Sequence, residues 1–323
     1  MRDQSFTFTA SDGHEIFVHR WLPEASTNAK AVIHIAHGMS EHAGRYARLA
    51  ETLTQKGYVV YANDHRGHGK TVKSDDDLGH FGPEKTFENV VRDLSELIAL
   101  EKRENPGLPV ILFGHSMGSF MVQKFLIDHG RMIQGAVLSG TNGKPNLLAS
   151  AGRLIARLEQ RRLGPHGRSK LIDALSFGQF NKRFGRTRTD FDWLSRDPAE
   201  VDKYIQDPRC GFICTTSLWV DLLDTLEVIA RPENQAKIPK DVPLYVFSGT
   251  RDAAGDDTRN VEQLLSAYRR AGIQSVTYRF YPEGRHEMLN ETNRDEVTRD
   301  LVTWLDRIIE RAPRAQAAAT APG

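Results

Sequence analysis

The stretch Gly114-His115-Ser116-Met117-Gly118 decides the fold of this chain. It follows an apolar run at 110–113 with the length of a buried strand, and it precedes a helical pattern at 117–128. Flanking glycines let strand and helix meet in a sharp turn that projects a serine hydroxyl beyond the sheet. The helix N-terminus then points amides at developing negative charge. The pattern predicts Ser116 as a nucleophile, and its plain alternative is a glycine-rich turn.

A nucleophilic serine needs a base, and the base needs a carboxylate that orients it. When a serine lies on such a turn, the acid and then the histidine follow it along the chain, each in a loop after a late strand. The strand predicted at 244–247 leads to Asp252, and the strand predicted at 276–280 leads to His286. We therefore predict Asp252 as the acid and His286 as the base.

Both assignments have plainer alternatives. Asp256 and Asp257 compete with Asp252 for the role of the acid, although they lie further from the strand end. Asp252 could instead be a surface turn residue, and His286 could be a solvated loop histidine. Of the twelve histidines, His286 alone follows the last predicted strand, and this position favours it as the base.

When a serine nucleophile attacks a carbonyl group, the carbonyl oxygen becomes a negatively charged oxyanion. Two backbone amides are needed to stabilise it. One comes from the residue after the nucleophile, Met117, and the other from a loop after an earlier strand. His37-Gly38-Met39 directly follows the apolar run at 31–36, so we predict the Met39 amide as the second donor. His37 lies on the wrong strand to be the base, and we interpret it as a structural residue that holds this loop.

Apolar runs and helical patterns alternate along most of the chain. Two alternating stretches at 6–10 and 16–21 predict an opening β-hairpin, and Gly57 and Gly272 suit helix C-terminal caps. Buried strands that alternate with helices predict an α/β fold, a mostly parallel sheet covered on both faces. The strands are predicted at 31–36, 58–62, 110–113, 136–138, 244–247 and 276–280, and the helices at 46–56, 87–103, 117–128, 261–270 and 295–310.

One long segment interrupts this alternation. From 142 to 240 no strand signal of similar strength occurs, and helical patterns at 147–158 and 215–229 dominate. Because this is too long for a loop in a compact domain, we predict a helical cap inserted into a core formed by 1–141 and 241–311. The tail at 312–323, rich in alanine and proline, is predicted to be disordered.

Composition excludes several other classes of protein. A formal net charge of +1 over 323 residues gives no indication of a nucleic-acid partner. No apolar run is long enough to span a membrane, and the first residues lack the pattern of a signal peptide, so we expect a cytoplasmic protein. Cys210 and Cys214 have no histidine near them in sequence, and we interpret them as buried small side chains. No metal or organic cofactor is predicted.

Five segments of the chain, taken together, form a recognisable set. They are His37-Gly38-Met39-Ser40-Glu41-His42-Ala43-Gly44-Arg45-Tyr46, Asp64-His65-Arg66-Gly67-His68-Gly69, 114–118, Gly249-Thr250-Arg251-Asp252 and His286-Glu287-Met288-Leu289-Asn290-Glu291. Together they resemble the monoacylglycerol lipase and lysophospholipase group of α/β-hydrolases. The first segment is the most specific to the group, whereas the serine turn alone indicates only the superfamily. Departures are Ser119, where the group commonly has a second glycine, and a cap that shares little beyond 195–198.

The resemblance implies an α/β-hydrolase fold, a triad of Ser116, Asp252 and His286, and a cap that shapes an apolar acyl tunnel. It also implies that Glu41 and Arg45 lie near the alcohol end of the substrate, whereas a salt bridge at the entry to a helix is the plain alternative. The segment at 64–69 fits neither a phosphate loop nor a dinucleotide motif, and we interpret it as a structured turn.

The expected reaction is cleavage of a monoacylglycerol or lysophospholipid-like ester through an acyl-enzyme. Three alternatives stay open. An acyltransferase would deliver the acyl group to an acceptor other than water, an aminopeptidase would use the same fold, and a catalytically idle hydrolase fold would only bind a ligand. The oligomeric state has no signal in the sequence.

The cap segment also carries a marked charge. Between Lys144 and Asp190 there are eleven basic residues and only three acidic ones. Five apolar residues accompany this charge, which suggests peripheral contact with an anionic lipid surface. The alternative is a solvated basic helix that covers the active site. The apolar residues are Leu147, Leu148, Leu154, Ile155 and Leu158.

Overall fold

A computed structural model describes residues 1–82, 86–143 and 147–311, with the side chains of 147–150 excepted. Its centre is a nine-stranded sheet in the order β1-β3-β5-β4-β6-β7-β8-β9, with β2 paired to β3. The strands are β1 (Arg2–Asp3), β2 (Phe6–Thr9), β3 (Glu15–Leu22), β4 (Ala31–Ala36), β5 (Tyr58–Asn63), β6 (Val110–His115), β7 (Gly135–Ser139), β8 (Leu244–Gly249) and β9 (Val276–Tyr281).

Six neighbouring strands, from β5 to β9, run parallel. The opening hairpin is confirmed, because β2 and β3 pair antiparallel with Phe6 opposite Val18. β3 then joins the parallel part by an antiparallel pairing with β5. The short strand β1 was not predicted, since two exposed polar residues carry no apolar alternation.

Helices cover both faces of the sheet. They are α1 (Ala47–Gln55), α2 (Thr86–Glu104), α3 (Met117–His129), α4 (Leu147–Leu163), α5 (Lys170–Leu175), α6 (Phe177–Phe180), α7 (Pro198–Gln206), α8 (Thr216–Ile229), α9 (Pro232–Gln235), α10 (Arg259–Arg270) and α11 (Arg294–Arg311). None of them, within the described ranges, is long and apolar enough to cross a membrane.

Successive strand residues bury against opposite layers because side chains alternate along a strand. Val32 and Leu112 join one apolar cluster with residues of α2, α3 and α10, whereas Ile33 and Phe113 join a second cluster with residues of α1 and α11. The predicted mostly parallel sheet with helices on both faces is thereby confirmed. Gly57 and Gly272 end α1 and α10 at φ +83° and +79°, the left-handed conformation that suits a C-terminal glycine.

The segment between β7 and β8 forms helices α4 to α9. In its described part the β-type pairing is a single bridge between Arg168 and Thr215. Helix α8 packs on α4 and also on α2 and α3, which cover one face of the sheet. Glu200 and Asp197 of the same segment bind Arg48 of α1 and Arg294 of α11, which belong to the other face. Its boundaries as a separate unit stay a prediction. The tail at 312–323, Lys144 and the side chains of Leu147 and Leu148 lie outside the described residues.

Candidate active site

Ser116 lies on the turn between β6 and α3 with φ +50° and ψ −120°. This strained conformation costs about 1–3 kcal/mol and is typical of functional sites. The flanking glycines make the turn possible: a Cβ on Gly114 would lie 2.5 Å from the Gly118 carbonyl oxygen, and one on Gly118 would lie 2.1 Å from that of Ala36. The Ser116 amide donates to the Ser139 carbonyl at 2.9 Å and fixes the turn to β7.

His286 and Asp252 meet in the loops that follow β9 and β8. The imidazole Nδ1 donates to both carboxylate oxygens of Asp252, at 3.0 and 3.1 Å. Both side chains are buried. Because Nδ1 holds the proton, Nε2 is left as the nitrogen that can accept one. The ring of His286 lies 4.8 Å, between centroids, from that of His115, the neighbour of Ser116.

The electrostatics of the pair follow from its burial. Burial alone would lower the pKa of His286, but the Asp252 carboxylate raises it above the ordinary value. Burial alone would raise the pKa of Asp252, but His286 and the amides of Ala254 and Gly255 hold it below the usual range. Burial and His286 lower the pKa of His115 to about 4, so His115 is neutral near neutral pH.

The two rival acids point elsewhere. Asp256 and Asp257 both bind the guanidinium of Arg183, the second at 2.8 Å. The structure therefore brings Asp252, and neither of its rivals, to His286.

The loop after β4 lies beside the serine. A Cβ on Gly38 would stand 3.3 Å from the Cβ of Ser116. The amides of Met39 and Met117 make no hydrogen bond to another group in the described part of the chain, so both are free to donate to a ligand. His37 is buried, accepts from the His65 amide at 3.0 Å and contacts the Gly38 carbonyl at 2.7 Å, as expected of a structural histidine.

The half-buried Arg45 forms an ion pair with the buried Glu41, and this pair continues to the buried Glu287. Arg45 donates to Glu41 at 2.6 Å and to both oxygens of Glu287 at 2.6 and 2.7 Å. Glu41 in turn accepts from the Gly38 amide at 2.6 Å and from the Tyr46 hydroxyl at 2.9 Å. The cluster thus ties the Gly38 loop to the loop of His286. Glu41 also lines the cavity described below, and its contact with substrate stays a prediction.

Sequence reasoning missed Glu287, although its position directly after His286 was the available signal. Burial alone would raise its pKa, but the Arg45 guanidinium holds it below the usual range. The Glu287 amide donates to the Leu194 carbonyl at 2.8 Å, which fastens the His286 loop to the segment between β7 and β8.

A cavity of about 340 Å³ joins these groups. Ser116, His286 and Met39 line it from the sheet edge. Residues of the segment between β7 and β8 close the opposite side, and they are Asp173, Ala174, Phe177, Gly178, Asn181, Asp190, Phe191, Trp193, Leu194, Tyr204, Gly211 and Phe212. The volume lies within the range of small-molecule sites. Its wall combines apolar side chains, among them Phe177, Phe191 and Trp193, which suit an apolar acyl group, with polar and acidic ones.

The cysteines have different surroundings. Cys214 is buried and contacts the Ser40 hydroxyl at 3.3 Å, as expected of a small buried side chain. Cys210 is half-buried, and its thiol lies within 4.8 Å of ligand atoms of His42 and Asp207. Sequence reasoning missed this cluster because His42 lies 165 positions from Asp207 along the chain. His42 already contacts Asp207 at 2.8 Å, which accounts for that pair without a metal ion.

The fold and the site define this chain as a serine hydrolase of the α/β-hydrolase fold. Residues 27–293 match the Hydrolase_4 family, described as serine aminopeptidase, S33. The chain belongs to this family.

Relatives narrow the comparison. Mouse monoglyceride lipase is 28% identical over 88% of this chain and 87% of its own. A monoacylglycerol lipase of Mycolicibacterium smegmatis is 27% identical over 93% of this chain and 95% of its own. A thermostable carboxyl esterase from Bacillus coagulans, solved in complex with glycerol, is 27% identical, with a TM-score of 0.87 over 96% of this chain and 99% of the esterase. The resemblance to the monoacylglycerol lipase group is confirmed.

Proposed function

We propose that this chain is a carboxylester hydrolase that cleaves monoacylglycerol-like substrates through an acyl-enzyme on Ser116. The observation that carries the proposal is the strained Ser116 turn in one cavity with the His286–Asp252 pair. The names of the relatives add the substrate class.

In the proposed mechanism, the free Nε2 of His286 takes the Ser116 proton as the hydroxyl attacks the ester carbonyl. Asp252 stabilises the imidazolium that forms, and the imidazolium returns its proton to the leaving alcohol. The amides of Met39 and Met117 donate to the tetrahedral oxyanion, worth about 3–4 kcal/mol per donor. Water, activated by the same imidazole, then hydrolyses the acyl-enzyme.

We further propose that 142–240 acts as a cap. Its support is that residues of this segment form one wall of the cavity and hold the His286 loop through the Leu194 carbonyl. Helices that cover the edge of the sheet would exclude bulk water from the acyl-enzyme and limit the length of the acyl group.

Release of fatty acid from monoacylglycerols of graded chain length tests the proposal. The purified chain should release fatty acid, and Ser116→Ala should abolish release while its circular dichroism stays that of the wild type. A fully active Ser116→Ala variant would refute the mechanism, and an inactive but folded wild type would favour a ligand-binding role.

The description of the family favours an aminopeptidase as the second candidate. Hydrolysis of aminoacyl p-nitroanilides faster than of monoacylglycerols would support it. An acyltransferase would be revealed by product analysis with competing alcohols, because transfer to the alcohol would exceed hydrolysis.

Peripheral membrane contact through the basic segment is also a proposal. Leu154 and Leu158 are 62% and 53% exposed on α4, beside the exposed Arg157 and Arg161. Exposed leucines flanked by cations suit an anionic lipid surface. Sedimentation with anionic and neutral vesicles tests this, because equal binding to both, or to neither, would refute it.

A further inference from the structure

The charge on the wall of the active-site cavity is opposite to that of the segment that forms it. Two of the three acidic residues between Lys144 and Asp190, namely Asp173 and Asp190 itself, line the cavity. No described basic residue of this stretch does so. Glu41 and Glu287 line the cavity too and share one guanidinium, that of Arg45. The cavity is therefore surrounded by an excess of negative charge.

The basic side chains of the segment are directed elsewhere. Arg157 pairs with Asp224 at 2.9 Å, Arg162 pairs with Glu159 at 2.6 Å, and Arg188 pairs with Asp202 at 2.7 Å. Arg168 donates to backbone carbonyls. Lys170, Lys182 and Arg186 are exposed, and no described basic residue of this stretch lines the cavity, so its positive charge does not neutralise the cavity wall.

Asp173 is the more enclosed of the two aspartates. It lies half-buried on α5, and its carboxylate has no cation within ion-pair distance among the described residues. Burial is the sole cause that raises its pKa, in agreement with the lack of a cationic partner. An unpaired carboxylate in a partly desolvated cavity repels an anion more strongly than one in open water.

We propose that this cavity accepts uncharged ester substrates and rejects anionic ones, with Asp173 as the specificity-determining residue. The inference rests on the proposed function. It separates the two classes of substrate that the sequence did not distinguish, monoacylglycerols and lysophospholipids. Uncharged monoacylglycerols fit the cavity, whereas lysophospholipids with an anionic head group do not.

The test compares a neutral substrate with the same molecule carrying an anionic group, and the substitutions of the wall then separate the effect of charge from that of size. Monodecanoylglycerol and the same molecule with a terminal phosphate are supplied below their aggregation concentrations, and released decanoate is measured. The wild type should have kcat/KM about tenfold or more lower for the phosphate-bearing ester. Asp173→Asn should raise the ratio of phosphate-bearing to neutral kcat/KM about fivefold, and added salt should raise the wild-type ratio.

Asp241→Asn is the matched control. Asp241 pairs with Arg131 in an exposed ion pair just before β8, at the end of that strand opposite to Asp252. The Asp241→Asn substitution removes one negative charge far from the cavity, so the ratio of phosphate-bearing to neutral kcat/KM should not change. Should Asp173→Asn unfold, Asp190→Asn gives a second reading, because it also removes a charge from the wall.

The outcomes separate the two proposals. Equal hydrolysis of both esters by the wild type, or a ratio unmoved by Asp173→Asn and Asp190→Asn, would overturn the charge selection and leave the proposed function standing. A folded wild type that releases decanoate from neither ester would overturn both proposals.

Discussion

Among the described residues, two buried histidine–carboxylate pairs occur, and only one of them opens on the active-site cavity. His286 contacts Asp252 at 3.0 Å at the carboxyl edge of the sheet. His34, in the middle of β4, contacts Glu101 of α2 at 2.5 Å. In both pairs the carboxylate raises the pKa of the histidine against burial, which alone would lower it.

The pairs differ at the second ring nitrogen. Nε2 of His34 contacts the Asn63 side-chain oxygen at 3.0 Å, so both of its nitrogens are bonded and it can exchange no proton with a ligand. His286 uses only Nδ1 and lines the cavity with Ser116. A histidine whose pKa is raised by a neighbouring carboxylate is therefore not identified as a catalytic base by that pKa alone. A catalytic base also needs a free ring nitrogen with access to the reacting group.

The largest difference between the two pairs is expected when each carboxylate is replaced by its amide. Asp252→Asn should lower kcat by about 10⁴-fold, because an amide favours the wrong tautomer of His286 and does not stabilise the imidazolium. Glu101→Gln should leave kcat close to that of the wild type but lower the free energy of unfolding by about 1–3 kcal/mol. Ester hydrolysis and urea unfolding measure the two effects. Equal losses of kcat would contradict the assignment of roles.

A smaller effect is expected for the contact between Arg45 and Glu287, which joins the Gly38 loop to the His286 loop. Glu287→Gln weakens the contact with Arg45 that ties the His286 loop to the Gly38 loop, so kcat should fall about tenfold to a hundredfold with little change in KM. Glu296→Gln is the control, because it removes a carboxylate from the exposed pair with Arg279. A change confined to KM would indicate substrate contact instead of positioning.

The pH dependence of kcat/KM tests the role of His286 as the base. Because Asp252 raises its pKa above 6.5, the imidazole becomes a base only above that value. The acid limb of kcat/KM should therefore lie above pH 6.5. By the same linkage, the charged pair stabilises the fold fully below pH 6.5, and this contribution is lost as pH rises through the folded-state pKa. An acid limb well below 6.5 would contradict the pairing.

The smallest effect concerns the start of α7. Asp197 accepts from the Ala199 amide at 3.0 Å and binds Arg294 at 2.7 Å. Asp197→Ala should lower the free energy of unfolding by about 1 kcal/mol, whereas Asp197→Asn should keep most of the cap. Urea unfolding of both variants measures the difference, and equal losses would assign the stability to the Arg294 pair.

Much of the fold could be predicted from sequence because local pattern and burial agree. The apolar run at 31–36 is a strand with the predicted bounds, and the residues predicted at 110–113 extend to His115. Strand ends were predicted short because Asn63 and Gly249 are polar or small, and parallel pairing extends the strands through them. Ser116, Asp252 and His286 could be placed because each follows a strand of recognisable pattern.

The rest depends on contacts between distant segments. Glu287 and Arg45 are 242 positions apart, and no local pattern indicates that they meet. The acidic wall of the cavity was hidden by the basic composition of its segment, because composition does not tell which side chains face inward. His34 lies inside a strand and Glu101 inside a helix. A polar residue within an apolar pattern does not indicate which distant residue it contacts, so this pair could not be predicted.

Labelling with a fluorophosphonate tests most directly the claim that His286 activates Ser116. Peptide mapping by mass spectrometry should place one adduct on Ser116 in the wild type and in Glu101→Gln, with strongly slowed labelling in Asp252→Asn. A folded wild type that stays unlabelled, or an adduct on another residue, would contradict the account.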